Sequence, residues 1–482
     1  MLSNDKDYLP DEMIQRGFEK KDGTLYFNAN FFADFIRKKY KMICTEPEKF
    51  YVYKKGVYIF YDISAIKKKL YYELQEPYFG TWTKHKEEEY IKSLERLVYV
   101  NKELNSYRDL INLKNGMFDL TTYKLKRHSS KYYSSIQLPI VYDAEAKCPQ
   151  FKKFLKEVFC GDKELICFAQ EMIGYCISTD MEAQCFFILF GTGANGKSLL
   201  CNLIKKLVGD GNYSSLALSD LGKSFSRADL QNKILNISAE NESENGKPFN
   251  SQYVKAISGG DDIKAEFKGK DVFTFKPFCK LIFAVNSLPN FTDKTNGFIR
   301  RVKIIPFNAT FSIEDGTADI HLEDKLTEEL SGIFNWAIRG LRRLRKNGYQ
   351  FSKCSAVQDM LTEYSELINP YILYWNECII YNYEDIKVRT RKKDLFDDFT
   401  AWASRNNHSN LARITPKRFW FDIALLLEQL GLPALRFQKS GGTRYVLGVE
   451  FAKHQTVWRK SSLTIKEMEL DVDVDETALD NL

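Results

Sequence analysis

Residues 191–198 read GTGANGKS, the spacing G-x-x-x-x-G-K-[ST] that wraps a phosphate chain. Gly191, Gly193 and Gly196 let the backbone curl so that successive amides face inward. A helix beginning near Lys197 would add its unpaired N–H groups and the positive end of its dipole. Lys197 would reach the β- and γ-phosphates as a point charge, while Ser198 would complete a magnesium shell. The expected ligands are therefore ATP and Mg2+, bound by Gly191, Gly193, Asn195, Gly196, Lys197 and Ser198.

Hydrolysis also needs a carboxylate that orients water and shares the metal, a neutral group on the attacking water, and a cation on the transferring phosphoryl. Glu240, directly after the apolar run KILNISA, fits the first role and would join Ser198 on the metal; Glu242 is its nearest competitor, and Glu244 reads as a surface residue. Asn286, at the end of KLIFAVN, fits the second as a sensor amide that adds no competing charge. Arg300 and Arg301, just before VKIIPF, fit the third if a neighbouring subunit supplies the guanidinium. Adjacent strand residues point opposite ways, so one of the two is expected to act, with Arg301 preferred. Between the acid and the amide, Ile263 to Phe275 reads as two strands folding back at Lys268-Gly269-Lys270. Lys264, Lys268 and Lys270 would contact phosphates and not base edges, which implies little sequence preference and steep salt dependence.

The elements that must position these groups are legible as an α/β pattern. The run CFFILF before the loop reads as a buried parallel strand, and Leu199, Leu200, Leu203, Ile204, Leu207 and Val208 follow with helical spacing. KILNISA, KLIFAVN and RVKIIPF add further strands, with polar residues at the C-terminal ends where ligands sit in open α/β sheets. The expected organisation is a mixed α+β N-terminal domain (1–125), a helical collar (126–182), the ATPase core (183–348), a helical connection (349–389), a winged helix (390–455) and an acidic tail (456–482). No 20- to 50-residue period recurs, which excludes a solenoid.

Composition sets outer bounds. The 482 residues are 44% hydrophobic and 14% aromatic, as in a globular protein, and no apolar run is long enough to span a bilayer. A cytoplasmic setting without membrane contact is expected. The 10 cysteines stand singly and the 5 histidines far apart, so neither a zinc ribbon nor a disulfide framework is signalled. The formal charge is +6, but the segment from Lys466 to Leu482 carries seven acids against one lysine, a net −6, so the remainder carries +12. With clusters such as RGLRRLRK and KVRTRKK, that body favours a polyanionic partner.

The order of these features resembles the phage and plasmid primase-helicase family related to the poxvirus primase-helicase, within the superfamily 3 helicases of the AAA+ class. The resemblance is carried by GTGANGKS, NISAENE with Glu240, SGGDDIKAEFKGKDVFTFKP, FAVNSLP with Asn286 and FIRRVKIIPF, and upstream by NLKNGMFDLTTYKLKRHS and LPIVYDAEAKCPQFKKFL. It is close over about Ile111 to Phe307 and looser over the terminal winged helix. It implies an ATP-driven hexameric ring moving on single-stranded DNA and opening a fork, in the cytoplasm of a bacterial host, with a primase, polymerase or loading factor as partner. An origin-binding initiator that uses ATP only for assembly is the alternative; a packaging motor would bring a nuclease carboxylate cluster, which is not seen. The N-terminal region carries no primase signature, and the D-x-D text DVDVD sits in the acidic tail, so priming by this chain alone is not expected.

Overall fold

The structure is a computed structural model, and it describes residues 9–239, 249–291, 293–312, 314 and 319–452. Glu240, Glu242, Glu244 and the acidic tail with DVDVD lie outside the described residues. The chain divides into two compact units, Met1–Asn369 and Pro370–Leu482.

At the centre of the first unit is a five-stranded parallel sheet. Its order is Tyr213–Ser214, Leu235–Ala239, Lys280–Val285, Phe186–Phe190, Val302–Pro306. These segments are almost uninterrupted apolar runs because both faces are covered. Alternation splits them between two cores. Phe187, Leu189, Ile282, Ala284 and Ile305 point to one core, which is closed by the helices Pro149–Val158, Lys163–Cys176, Lys197–Val208 and Leu330–Lys346. Phe186, Ile188, Leu281, Phe283 and Ile304 point to the other, closed by Ser251–Gly259 and Ser355–Ile368.

The expected collar is continuous with the parallel-sheet core. Helix Lys163–Cys176 lies so close to Leu330–Lys346 that a Cβ on Gly340 would stand 2.3 Å from the Gln170 carbonyl oxygen. Buried Glu171 then accepts from Arg343 Nε at 2.6 Å and from the Ser352 amide at 2.8 Å. A buried pair of this kind is strongly destabilising to break, which locks the two helices in register.

Two expected boundaries move. The division at 125 cuts the last strand of a small antiparallel sheet, Leu110–Leu113, Gly116–Asp119 and Lys124–Lys126. That sheet belongs with the core, since Ile111, Leu113, Phe118 and Leu120 are buried in the same cluster as the parallel strands, with Phe118 edge-on to Phe334 at 5.4 Å. The preceding globule has its own core, from Met13 to Val98. The connection expected over 349–389 is split at Asn369, because Tyr364 and Ile368 are buried in the first unit while Tyr374 and Trp375 are buried in the second.

The second unit runs helix Pro370–Cys378, strand Arg389–Arg391, helix Lys392–Arg405, helix Pro416–Gln429, then strands Arg436–Ser440 and Thr443–Leu447 joined at Gly441-Gly442. Thr443–Leu447 is central in its three-stranded antiparallel sheet, and Ile379–Tyr381 pairs separately with Val449–Phe451. No helix among the described residues is long and apolar enough to cross a membrane.

Candidate nucleotide and nucleic-acid site

Strand Phe186–Phe190 delivers Gly191–Ser198 to the C-terminal edge of the sheet, and helix Lys197–Val208 starts inside the motif. The loop is held from three sides. The Gly191 amide donates to Val285 O at 3.3 Å, the Phe311 amide to Ala194 O at 2.7 Å, and buried Asn195 donates through Nδ2 to Phe307 O at 3.3 Å. Gly196 caps the helix at φ +84°, and a Cβ there would lie 2.8 Å from Val158 Cγ2, so the collar helix also shapes the loop.

Lys197 is 5% exposed. Its ammonium donates to Gly191 O at 2.6 Å and to Asn195 Oδ1 at 3.0 Å, and burial holds its pKa below the ordinary lysine value. A buried cation with only neutral partners gains most from an arriving anion. Ser198 is exposed in the first helical turn. The donor set of a glycine-rich loop, buried lysine, open hydroxyl and helix N-terminus fits a nucleoside triphosphate with magnesium.

The sheet order puts Lys280–Val285 between the loop strand and Leu235–Ala239. Asn286 is exposed at the C-terminal tip of that middle strand, beside the loop, and Ala239, the residue before Glu240, pairs with Ala284. Asn286 and the chain leading to Glu240 thus converge on the phosphate edge.

Arg300 and Arg301 lie elsewhere. Val302 pairs with Phe186 and Pro306 with Phe190, so both arginines sit at the N-terminal edge, the length of five strand residues or about 17 Å from the loop of their own chain. Arg301 is half-buried: Nη1 donates to Gly297 O at 2.5 Å, and Nε is buried without a partner. Burial, then the charge of Arg300, lowers the Arg301 pKa, while Asp261 and Asp293 oppose that shift. Arg300 is exposed.

The hairpin forms as read, Ile263–Ala265 against Phe273–Phe275, with Lys264, Lys268 and Lys270 all exposed and Gly269 at φ +75° in the tip. It too belongs to the N-terminal edge, since Phe273–Phe275 runs on within a few residues to the start of Lys280–Val285. Phe267 stacks on Phe273 with ring centroids 5.0 Å apart, stiffening the arm below the lysines. Its base is pinned by a residue that motif reading missed. Arg227, 4% exposed, donates through Nε to Lys264 O and through Nη1 to Leu221 O, both at 2.9 Å, and lies 3.8 Å over the Tyr253 ring. A lone arginine in SFSRADL carries no spacing that could have marked it.

Residues 29–160 match the family described as D5 N terminal like, and residues 189–301 match a family of unknown function, DUF5906. The protein named "Putative helicase 184R" of Invertebrate iridescent virus 6 is 25% identical over 359 residues, 66% of this chain and 37% of the relative. "Putative helicase L207/L206" of Acanthamoeba polyphaga mimivirus is 27% identical over 302 residues, 55% and 31% of the two chains. These matches support the resemblance to the phage and viral primase-helicase family. It spans about a third of the length of these curated relatives. The apo C-terminal region of NrS-1 is similar in fold, with a TM-score of 0.50 at 12% identity, covering 86% of this chain and 97% of that one.

In this chain the described parts of the site thus fall on opposite edges of one sheet. Asn286 and the phosphate loop occupy one edge; the lysine hairpin and both arginines occupy the other.

Proposed function

We propose that the chain is an ATP-driven replicative DNA helicase, an AAA+ ATPase of superfamily 3 that works as a ring, with six subunits expected. One observation carries this reading. The strand Lys280–Val285 is buried along its whole length, begins just beyond the hairpin and ends at Asn286 beside the phosphate loop. Six residues, about 20 Å, form a rigid rod between the nucleotide edge and the lysine-tipped arm. A change in what Asn286 touches is then a displacement of Lys268 and Lys270.

At the loop, the inward amides and Lys197 would bind the β- and γ-phosphates, and Asn286 would hold the attacking water in line with the γ-phosphorus. Ser198 and Glu240 would hold magnesium, which supplies charge neutralisation on the phosphate oxygens. The guanidinium would come from the next subunit, a reading supported by the distance of a strand's length between each chain's arginines and its own loop. Exposed Arg300 has the reach, and tethered Arg301 is the better support for the turn that presents it. The second unit, with its order helix, strand, helix, helix, strand, strand, reads as a winged helix.

The test is strand separation on a forked duplex with ATP and Mg2+, beside ATP hydrolysis, for the wild-type chain and Lys197→Ala. Both activities are expected to depend on Lys197. Hydrolysis without separation by the wild-type protein would overturn the helicase reading.

A further inference from the structure

The second unit gathers cations that the nucleotide site does not use. Lys392 opens helix Lys392–Arg405, and its ammonium lies 4.6 Å from the centre of the Trp420 ring and 4.7 Å from that of Phe437. Lys439 and Arg444 face each other directly across the hairpin strands, where like charges repel. Arg444 bears on Lys392 as well: burial, then the Arg444 charge, holds the Lys392 ammonium below the ordinary lysine value. Among the described residues, none of these three cations has a carboxylate at ion-pair distance. The fold thus brings mutually repelling cations together and leaves them unneutralised, an arrangement that a polyanion relieves.

Aromatic surface accompanies the charge. Phe437 is 52% exposed beside Lys392, and Phe421 on helix Pro416–Gln429 is 57% exposed. The exposed positions of that helix are otherwise unsuited to reading a duplex. They include Lys417, Arg418, Phe421, Ala424, Leu425 and Glu428, with no exposed amide among its described side chains and with Arg418 tied to Asp422 at 2.9 Å. A helix that reads the major groove needs bidentate donors aimed at base edges. Cations interleaved with exposed rings are instead the pattern of single-strand binding, in which phosphates track the charges and bases stack on the rings.

The geometry points to a single-stranded DNA site on this face, with phosphates held by Lys392, Lys439 and Arg444 and a base stacked on Phe437, independent of sequence. The choice of DNA over RNA rests on the helicase reading; the surface itself does not depend on it.

The experiment uses the full chain carrying Lys268→Ala and Lys270→Ala, so that the hairpin contributes little. Fluorescence anisotropy measures affinity for labelled oligo-dT, a mixed-sequence single strand, the matching duplex and oligo-U across a salt series. Adding Lys439→Gln and Arg444→Gln is expected to weaken both DNA single strands about tenfold at low salt and to lower the slope of log affinity against log salt by about 1.4, two lost phosphate contacts. Phe437→Leu, which keeps an apolar side chain and removes the ring, is expected to cost on the order of tenfold with the slope unchanged. Thermal melting checks that the exposed substitutions leave the fold intact. Unchanged single-strand affinity, a loss confined to the duplex, or tighter binding of oligo-U than of oligo-dT would each overturn the proposal. This readout is equilibrium affinity in a hairpin-deficient chain, so its failure is distinguishable from a failure of strand separation.

Discussion

Removing the Arg227 guanidinium should detach the lysine hairpin from the parallel-sheet core while leaving the phosphate loop intact. Arg227 is buried, holds the carbonyl oxygens of Lys264 and Leu221, and packs flat on Tyr253. Two hydrogen bonds from a charged donor contribute roughly 1.5 kcal/mol each, and a desolvated cation–π contact about 1 to 2 kcal/mol. Arg227→Met fills much of the volume but removes both donors and the cation, so about 4 to 5 kcal/mol of local stability should be lost at the hairpin base. At the lower figure, opening of that base becomes roughly a thousandfold easier. Hydrogen exchange of the Ile263–Phe275 amides reads this directly, with the Phe186–Phe190 amides as the internal reference. The expected result is faster exchange in the hairpin alone, DNA-independent ATP hydrolysis near the wild-type rate, and a large fall in strand separation. Arg227→Lys keeps the charge but loses the fork, and should fall between the two. Unchanged hairpin exchange, or strand separation that survives Arg227→Met, would rule out this role for Arg227.

Two further outcomes follow from other parts of the molecule. An equal mixture of Lys197→Ala and Arg300→Ala chains should recover hydrolysis at about a quarter of the sites, because one pairing in four joins an intact loop to an intact neighbouring arginine; no recovery, or full activity of Arg300→Ala alone, would argue against a shared site. Lys280, 1% exposed, is pushed down to about 8 by burial, with Asp180 opposing. Between about pH 8 and 10.5 the unfolded chain holds this proton and the folded chain does not, so this group makes stability rise with pH by up to about 3 kcal/mol. Raised tyrosine pKa values act in the opposite direction at the upper end, so the measurement is the difference in denaturant stability between the wild-type chain and Lys280→Met; a difference independent of pH would contradict it.

The nucleotide edge was legible in the sequence because its chemistry is local. GTGANGKS is contiguous, and Asn286 closes an apolar run that could only be a buried strand. The division of these residues between opposite edges of the sheet was not legible. That Arg300 and Arg301 stand a strand's length from their own loop follows from the parallel pairing of Val302 with Phe186, which no single run of residues encodes. The domain boundary near 125 failed for a related reason: LINLKNGMFDL makes short strands whose apolar side chains serve either globule equally well, and only their burial against Phe334 decides between them. The split at Asn369-Pro370 had a visible signal, a proline that opens a helix, but the helical text on both sides masked it. Arg227 and the cluster of Lys392, Lys439 and Arg444 become sites only through contacts between distant segments.

In the proposed helicase, the strand Lys280–Val285 would couple nucleotide hydrolysis beside Asn286 to the movement of a lysine-tipped arm on DNA. Its most direct test is a forked-duplex assay run beside ATP hydrolysis for the chain carrying Lys268→Ala and Lys270→Ala. Hydrolysis is expected to persist while strand separation is lost. Strand separation at the wild-type rate by that variant would contradict it.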